Sequence, residues 1–186
     1  LEPACKNLAK LTELESQKAS IRWRHAQELL GSRYHKSVVI SGEKVALVDD
    51  ILEEWITKDL KGNWKKKARQ ISKTILDESE KYGFDPVFIL ALIQSESGLN
   101  PEAIGKFGEI GLMQLSPTTA EWISKKTGTP WKGRRSLKNP FINIKIGTAY
   151  LAYLRERFSF QSQLYISAYN MGSLNVSKSL EKRILP

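Results

Sequence analysis

Three dipeptides, Asp85-Pro86, Ser116-Pro117 and Asn139-Pro140, constrain this chain more than any other feature. Each places a side-chain acceptor for the free N–H groups of a helix directly before proline. Proline has its φ already near the helical value and no N–H left to satisfy. They predict helices over 86–97, 117–127 and 140–157. Ala68, Ile71, Ile75 and Tyr82 recur at helical spacing and stop at Gly83, and two further helices fit 162–171 and 174–184. Upstream, Leu8, Leu11, Ala19, Ala26, Leu29 and Leu30 stand among charges before Gly31, which predicts one or two amphipathic helices over 4–30. Val45 to Leu60 reads as another, ended by Gly62. Residues 36–41 form the one β-like stretch, too short for a sheet. The expected fold class is therefore all-α, with an N-terminal helical segment (1–62) joined near Gly62 to a compact helical domain (63–186).

The chain has 186 residues, 41% of them hydrophobic, enough for a real core. No apolar run reaches the ~18–20 residues that cross a membrane, so no transmembrane segment is expected. It opens at Leu1, as expected of a processed or trimmed form. Cys5 is the single cysteine, which excludes an intrachain disulfide, and the charged Glu2 argues against a lipoprotein cysteine. Lys and Arg number 29 against 20 Asp and Glu, a balance suited to anionic partners. Acid-free basic runs lie at Lys61–Lys73 and Lys125–Lys138; a solvated surface accounts for them as simply as a polyanion site does. No nucleic-acid-binding motif accompanies them.

Elimination narrows the chemistry. Both histidines, His25 and His35, lie in the N-terminal segment, so residues 62–186 cannot build a Ser-His or Cys-His nucleophile or a zinc site. No phosphate-binding glycine loop occurs, and no metal or cofactor is expected. Carboxylate chemistry remains, with Asp85, Glu96, Glu102, Glu109, Glu121 and Glu156 between Phe84 and Gly172. Glu96 ends an oily helix, with Leu92 and Ile93 on its face. Burial and the negative helix end both favour its protonated form, the equipment of a general acid. A helix-end acid satisfied by N–H groups is the alternative. Glu109, between Gly108 and Gly111, is the nearest second carboxylate, and plain solvent exposure is its simpler reading.

The stretches Ala91-Leu-Ile-Gln-Ser-Glu96-Ser-Gly-Leu-Asn-Pro101, Gly108-Glu-Ile-Gly-Leu-Met-Gln-Leu-Ser-Pro-Thr-Thr-Ala120, Asn139 to Leu154 and Ala168-Tyr-Asn-Met-Gly172 together resemble the soluble lytic transglycosylases of bacterial cell walls. The resemblance covers residues 65–172. It implies a lysozyme-like helical fold, cleavage of the MurNAc–GlcNAc β-1,4 bond of peptidoglycan glycan strands, and 1,6-anhydroMurNAc ends. Glu96 takes the place of the family's single acid–base glutamate. Gln114 and Met113 align with groove residues beside it, and Tyr169 and Asn170 with the pair that faces it. Ser97 matches the serine after the acid, where a helix-end hydrogen bond is as good an account as a substrate contact. Phe107 stands where an aromatic borders the cleft. Core packing accounts equally well for Met113 and Phe107, and better for Tyr150; Trp122 and Trp131 could stack on sugars, although Trp122 reads better as core.

The chain departs from the family pattern at Gly105, where a serine that helps hold the N-acetyl group is usual, at Glu109, usually small, and at Met171. It also ends at Pro186, before a further cleft tyrosine. The same fold could instead serve a hydrolytic, goose-type-lysozyme-like muramidase in which Glu109 positions water, or a non-catalytic peptidoglycan-binding module. A monomer in the periplasm or exported, with its signal removed, is expected.

Overall fold

The computed structural model describes residues 2–31, 33 and 45–184, with side chains described for 13, 16–31, 33 and 48–182. His35, Cys5 and the β-like stretch 36–41 fall outside the described side chains or residues. Among the described residues there are eight α-helices and no strand: α1 (Glu2–Leu30), α2 (Val45–Asp59), α3 (Ala68–Tyr82), α4 (Pro86–Ser97), α5 (Pro117–Thr127), α6 (Pro140–Arg157), α7 (Ser162–Met171) and α8 (Ser173–Ile184). Short 3₁₀ turns at Gly62–Lys67 and Arg134–Lys138 precede α3 and α6. No helix is long and apolar enough to cross a membrane among the described residues.

The three proline starts form as expected. Asp85 Oδ1 accepts the Val87 N–H at 2.8 Å, Ser116 Oγ that of Thr119 at 3.1 Å, and Asn139 Oδ1 that of Phe141 at 3.0 Å. Gly83 ends α3 with φ 71°, in the left-handed region where a side chain is strained. Helix α6 runs through the centre, burying Asn143, Ile144, Ile146, Gly147, Thr148, Leu151 and Leu154, and packs on α3, α5 and α7. The core continues across residue 62: Val48, Leu52, Ile56 and Leu60 of α2 and its C-terminal flank join Ile71, Ile75, Ile93 and Leu112.

Helix α1 is held by part-buried and buried polar contacts rather than by apolar area alone. Arg155 of α6 makes a bidentate pair with Glu28, its Nε 2.9 Å from Oε1, and also donates to the carbonyls of Tyr82 and Gly83 at 3.2 and 3.0 Å. Arg22 meets Asp85 Oδ2 at 3.2 Å, so this one carboxylate caps α4 and anchors α1. His25 is fully buried between the edges of Phe84 and Phe88. Its Nδ1 accepts the Asp85 N–H at 3.1 Å, which leaves the proton on Nε2, 3.2 Å from the Tyr165 hydroxyl. Burial, and then the charge of Arg155, lower its pKa to about 3.

A single carboxamide joins α6 to the loop that follows α4. Asn143 is fully buried; its Oδ1 accepts the Met113 N–H at 2.8 Å, and its Nδ2 donates to the carbonyls of Ile110 and Leu137, both at 2.9 Å. Gly147, one turn further along α6, lacks the Cβ that would collide with the Met113 side chain, so the loop seats directly on the helix.

Two stability measurements follow. His25 is neutral when folded, and an unfolded histidine titrates near pH 6.5. Its contribution is therefore complete above about pH 6.5 and is lost as pH falls towards its folded value. Urea unfolding is expected to show a His25 contribution to the slope that rises from about 0.7 kcal/mol per pH unit at pH 6.5 towards about 1.4 at pH 5, which His25→Gln removes. Asn143→Ala strands the buried Met113 N–H and Leu137 carbonyl, removes one of two donors to the Ile110 carbonyl, and is expected to cost about 3 kcal/mol in the same assay.

Candidate active site

Glu96 occupies the last turn of α4, which Gly98 ends in a left-handed cap (φ 56°) whose N–H returns to the Gln94 carbonyl at 3.0 Å. The apolar residues that make α4 a buried helix, Ile89, Leu90 and Ile93, leave this final turn half-buried. Burial first, and then the negative charge of Glu109, hold the Glu96 carboxyl above the ordinary carboxylate range. No cation among the described residues offsets these effects. Both causes favour the protonated form, and no hydrogen bond from an N–H group, the alternative reading of a helix-end acid, is among them.

The loop from Gly98 to Ser116 folds back on itself through backbone hydrogen bonds. Gly105 N–H meets the Glu109 carbonyl at 2.8 Å, Gly111 N–H that of Ala103 at 2.9 Å, and Ile110 and Leu115 bond to each other in both directions. Ser97 ties this loop to the end of α4, its hydroxyl 2.8 Å from the Leu112 carbonyl and 3.2 Å from that of Ile93. Of the two roles expected for Ser97, the structure displays the helix-end hydrogen bond. Gln114 adopts a left-handed backbone (φ 44°), sparsely populated for a residue with a Cβ, and its Nε2 donates to the Gly111 carbonyl at 2.9 Å.

A cleft of about 570 Å³ opens between this loop, α5, α6 and the α7–α8 junction; its walls include Phe107, Glu109, Gln114, Tyr150, Tyr169 and Asn170. That volume is within the range of small-ligand sites. Glu96 is not itself among the lining residues, but the charge of Glu109 acts on it, and its own charge acts on the Tyr169 hydroxyl. Tyr169 donates to the Met113 carbonyl at 2.8 Å and stands 5.5 Å from Tyr150, ring to ring. A second recess, about 40 Å³ and mostly apolar, lies between α1, α2 and α3, and a more open hollow of about 450 Å³ walled by Lys18, Asp49, Glu53, Arg69 and Lys73 adjoins it.

The structure brings most of the expected site residues together and redefines several of them. Phe107 is 83% exposed on the rim, with Lys106 beside its ring. Met113 has no exposed side chain: it is core, and only its carbonyl takes part, through Tyr169. Tyr150, read as core, is half-buried and lines the cleft; burial raises its hydroxyl above the ordinary tyrosine value. Glu109 is not simply solvated. It is half-buried, and its Oε2 accepts the Phe107 N–H at 3.0 Å. Trp122, read as core, is 38% exposed, packed edge-on against Tyr153, and neither it nor Trp131 lines the cleft. Among the described residues no cluster of His, Cys, Asp or Glu could hold a metal. Thr119 and Asn175 also face the cleft, and no motif in the sequence singled them out.

Membrane-bound lytic murein transglycosylase C of Actinobacillus pleuropneumoniae is 35% identical over 126 residues, 63% of this chain and 34% of that protein. Endo-type membrane-bound lytic murein transglycosylase A of Klebsiella pneumoniae is 46% identical over 77 residues, 39% of this chain and 37% of that protein. The chain thus spans about a third of the length of the curated relatives it matches. Among solved structures, an inactive Glu-to-Gln mutant of lytic transglycosylase Slt from Pseudomonas aeruginosa superposes with a TM-score of 0.54. It is 33% identical, over 56% of this chain and 17% of that one. The 70 kDa soluble lytic transglycosylase SLT70 from Escherichia coli gives a TM-score of 0.50 over 80% of this chain and 26% of that one; at 23% identity it speaks for the expected lysozyme-like helical fold alone. Residues 73–183, more than half of the chain, match the model of the transglycosylase SLT domain, and the chain belongs to that family.

Proposed function

We propose that this chain is the catalytic part of a peptidoglycan lytic transglycosylase, cleaving the MurNAc–GlcNAc β-1,4 bond with Glu96 as its one acid–base group. The observation that carries the reading is the half-buried Glu96 carboxyl, its pKa raised by burial and then by Glu109, which lines a cleft walled also by Gln114, Tyr169 and Asn170. The relatives named above are murein transglycosylases, which supports the same substrate class.

In the proposed reaction Glu96 gives its proton to the glycosidic oxygen as the bond to the MurNAc C1 breaks. The substrate's own acetamido oxygen closes on C1 and carries the positive charge, so no protein nucleophile is required. Glu96, now a carboxylate, takes the proton of the MurNAc C6 hydroxyl, whose oxygen displaces the acetamido group from C1. The products are a 1,6-anhydro end and a free GlcNAc hydroxyl; no water is consumed. Tyr169, fixed by the Met113 carbonyl, and Gln114, fixed by the Gly111 carbonyl, enter this scheme as rigid walls that orient the sugar. Phe107 on the rim, Asn170 and Tyr150 supply further contacts, and Ser97 keeps the end of α4 against the loop.

Such a substrate lies outside the cytoplasm, and a periplasmic or exported location belongs to the same proposal. Residues 1–62 are proposed to brace the catalytic domain, supported by the Glu28–Arg155 and His25 contacts. A hydrolytic muramidase is the second reading, favoured by the half-buried position of Glu109 at the cleft.

The test is release of soluble fragments from purified sacculi. Wild-type protein is expected to release muropeptides, and Glu96→Gln to lower the rate by at least about 100-fold with unchanged folding. Mass spectrometry then separates the readings, because an anhydro end is one water lighter than a reducing end. Unchanged lysis by the Glu96→Gln variant would overturn both.

A further inference from the structure

Gly105, Glu109 and Gln114 form one interlocked unit. A Cβ built on Gly105 would stand 2.5 Å from Glu109 Oε2 and 2.6 Å from Gln114 Oε1, and 3.2 Å from Glu109 Cβ. The space beside position 105 is therefore occupied by the two side-chain tips, which could not sit where they do beside any residue but glycine. Its backbone φ lies outside the left-handed region, so glycine is not needed there for its conformation. What the position requires is absence of a side chain.

The carboxylate placed in that space is oriented. Oε2 accepts the Phe107 N–H at 3.0 Å, closing the turn beneath it, while the Gly105 N–H holds the Glu109 backbone carbonyl at 2.8 Å. Gln114 is fixed in turn through Nε2, so neither tip swings freely. Glu109 lines the cleft, and its charge acts on Glu96. An ionised carboxylate only accepts hydrogen bonds. Oε1, which no described donor engages, is the acceptor left for a ligand.

We propose that Glu109 is a substrate-positioning residue whose Oε1 accepts the amide N–H of a sugar 2-acetamido group bound in this cleft. This rests on the reading of the cleft as a glycan site. Its chemical consequence is directional. A glycan of N-acetylated sugars offers hydroxyls, which rotate to suit either partner, and amide N–H groups, which only donate. An acceptor fixed by the protein backbone selects the second and fixes the plane of the amide. The same contact draws electron density towards the amide oxygen, the atom assigned above to close on C1. Gly105 belongs to the device without touching the ligand, since it provides the room in which Glu109 stands.

The experiment is calorimetric binding of the β-1,4-linked pentamer of N-acetylglucosamine, compared with the pentamer of glucose. All proteins carry Glu96→Gln, so that no turnover disturbs the measurement. Glu109→Ala and Gly105→Ala are each expected to weaken the N-acetylated pentamer about tenfold, the scale of one hydrogen bond to a charged group. Glucose pentamer binding is expected to weaken less, because a hydroxyl that loses Oε1 turns to another partner. The double variant is expected to bind no more weakly than Glu109→Ala alone, because both changes remove the same contact. Glu109→Gln, which keeps the volume and one acceptor, is expected to fall between wild type and Glu109→Ala. It also keeps the test decisive should a smaller side chain destabilise the loop. Equal losses on both pentamers, additive losses in the double variant, or unchanged binding by Glu109→Ala and Glu109→Gln would each overturn the proposal. Binding requires no catalysis, so failure of the transglycosylase reading in the sacculus assay would leave this result separately readable.

Discussion

The site depends on the hydrogen bonds of one buried carboxamide. Asn143 accepts from Met113 and donates to Ile110 and Leu137, so the central helix, the loop after α4 and the turn before α6 meet at one side chain. An amide offers one strong acceptor and two donors, and here every one is used in a space closed to water. Moving the loop would break all three at once and leave the buried Met113 N–H and Leu137 carbonyl without a partner. Gly147 completes the joint by letting Met113 lie against α6. Everything that faces the cleft from this side inherits the position: the carbonyl that orients Tyr169, the carbonyl that holds Gln114, and the turn that carries Glu109.

The opposite end of the molecule solves a different problem. Helix α1 meets α4, α6 and α7 through polar contacts, with Glu28 and Arg155 mutually neutralised and His25 uncharged. A buried ion pair adds little net stability over apolar packing, but losing one partner is costly. Such contacts therefore specify where α1 docks more than they stabilise the whole. Asp85 links this brace to the site, because the carboxylate that receives Arg22 also starts α4, whose other end presents Glu96.

Helix positions were legible because their causes are local. A capping side chain followed by proline acts within four residues, and α4, α5 and α6 begin where Asp85, Ser116 and Asn139 predict. The half-burial of Glu96 agrees with the apolar Leu92 and Ile93 one turn before it, whereas the groups that act on it electrically, Glu109 and Tyr169, come from other segments. Residues whose surroundings come from distant segments were read less well. Tyr150 sits within an apolar run and looks like core, yet its ring emerges beside Tyr169, contributed by α7. Met113 lies in a motif that suggests a groove residue, but its side chain is drawn inward by the gap at Gly147. Glu109, flanked by glycines, has the appearance of an exposed loop acid. Its half-burial follows from the missing side chain at Gly105 and the Phe107 N–H, neither of which periodicity can reveal. The docking of α1 through His25 and Arg155 was likewise invisible, because its partners lie 60 or more residues apart.

Glu96 is a carboxyl whose pKa is raised by burial and by a neighbouring negative charge. The most direct measurement is a carbon-13 NMR titration of the Glu96 side-chain carboxyl in the free protein and in the Glu109→Gln variant. The predicted result is a midpoint above the ordinary glutamate range, lowered but still raised when the charge at 109 is removed, since burial is the larger cause. A midpoint at or below the ordinary range in the free protein would contradict the account.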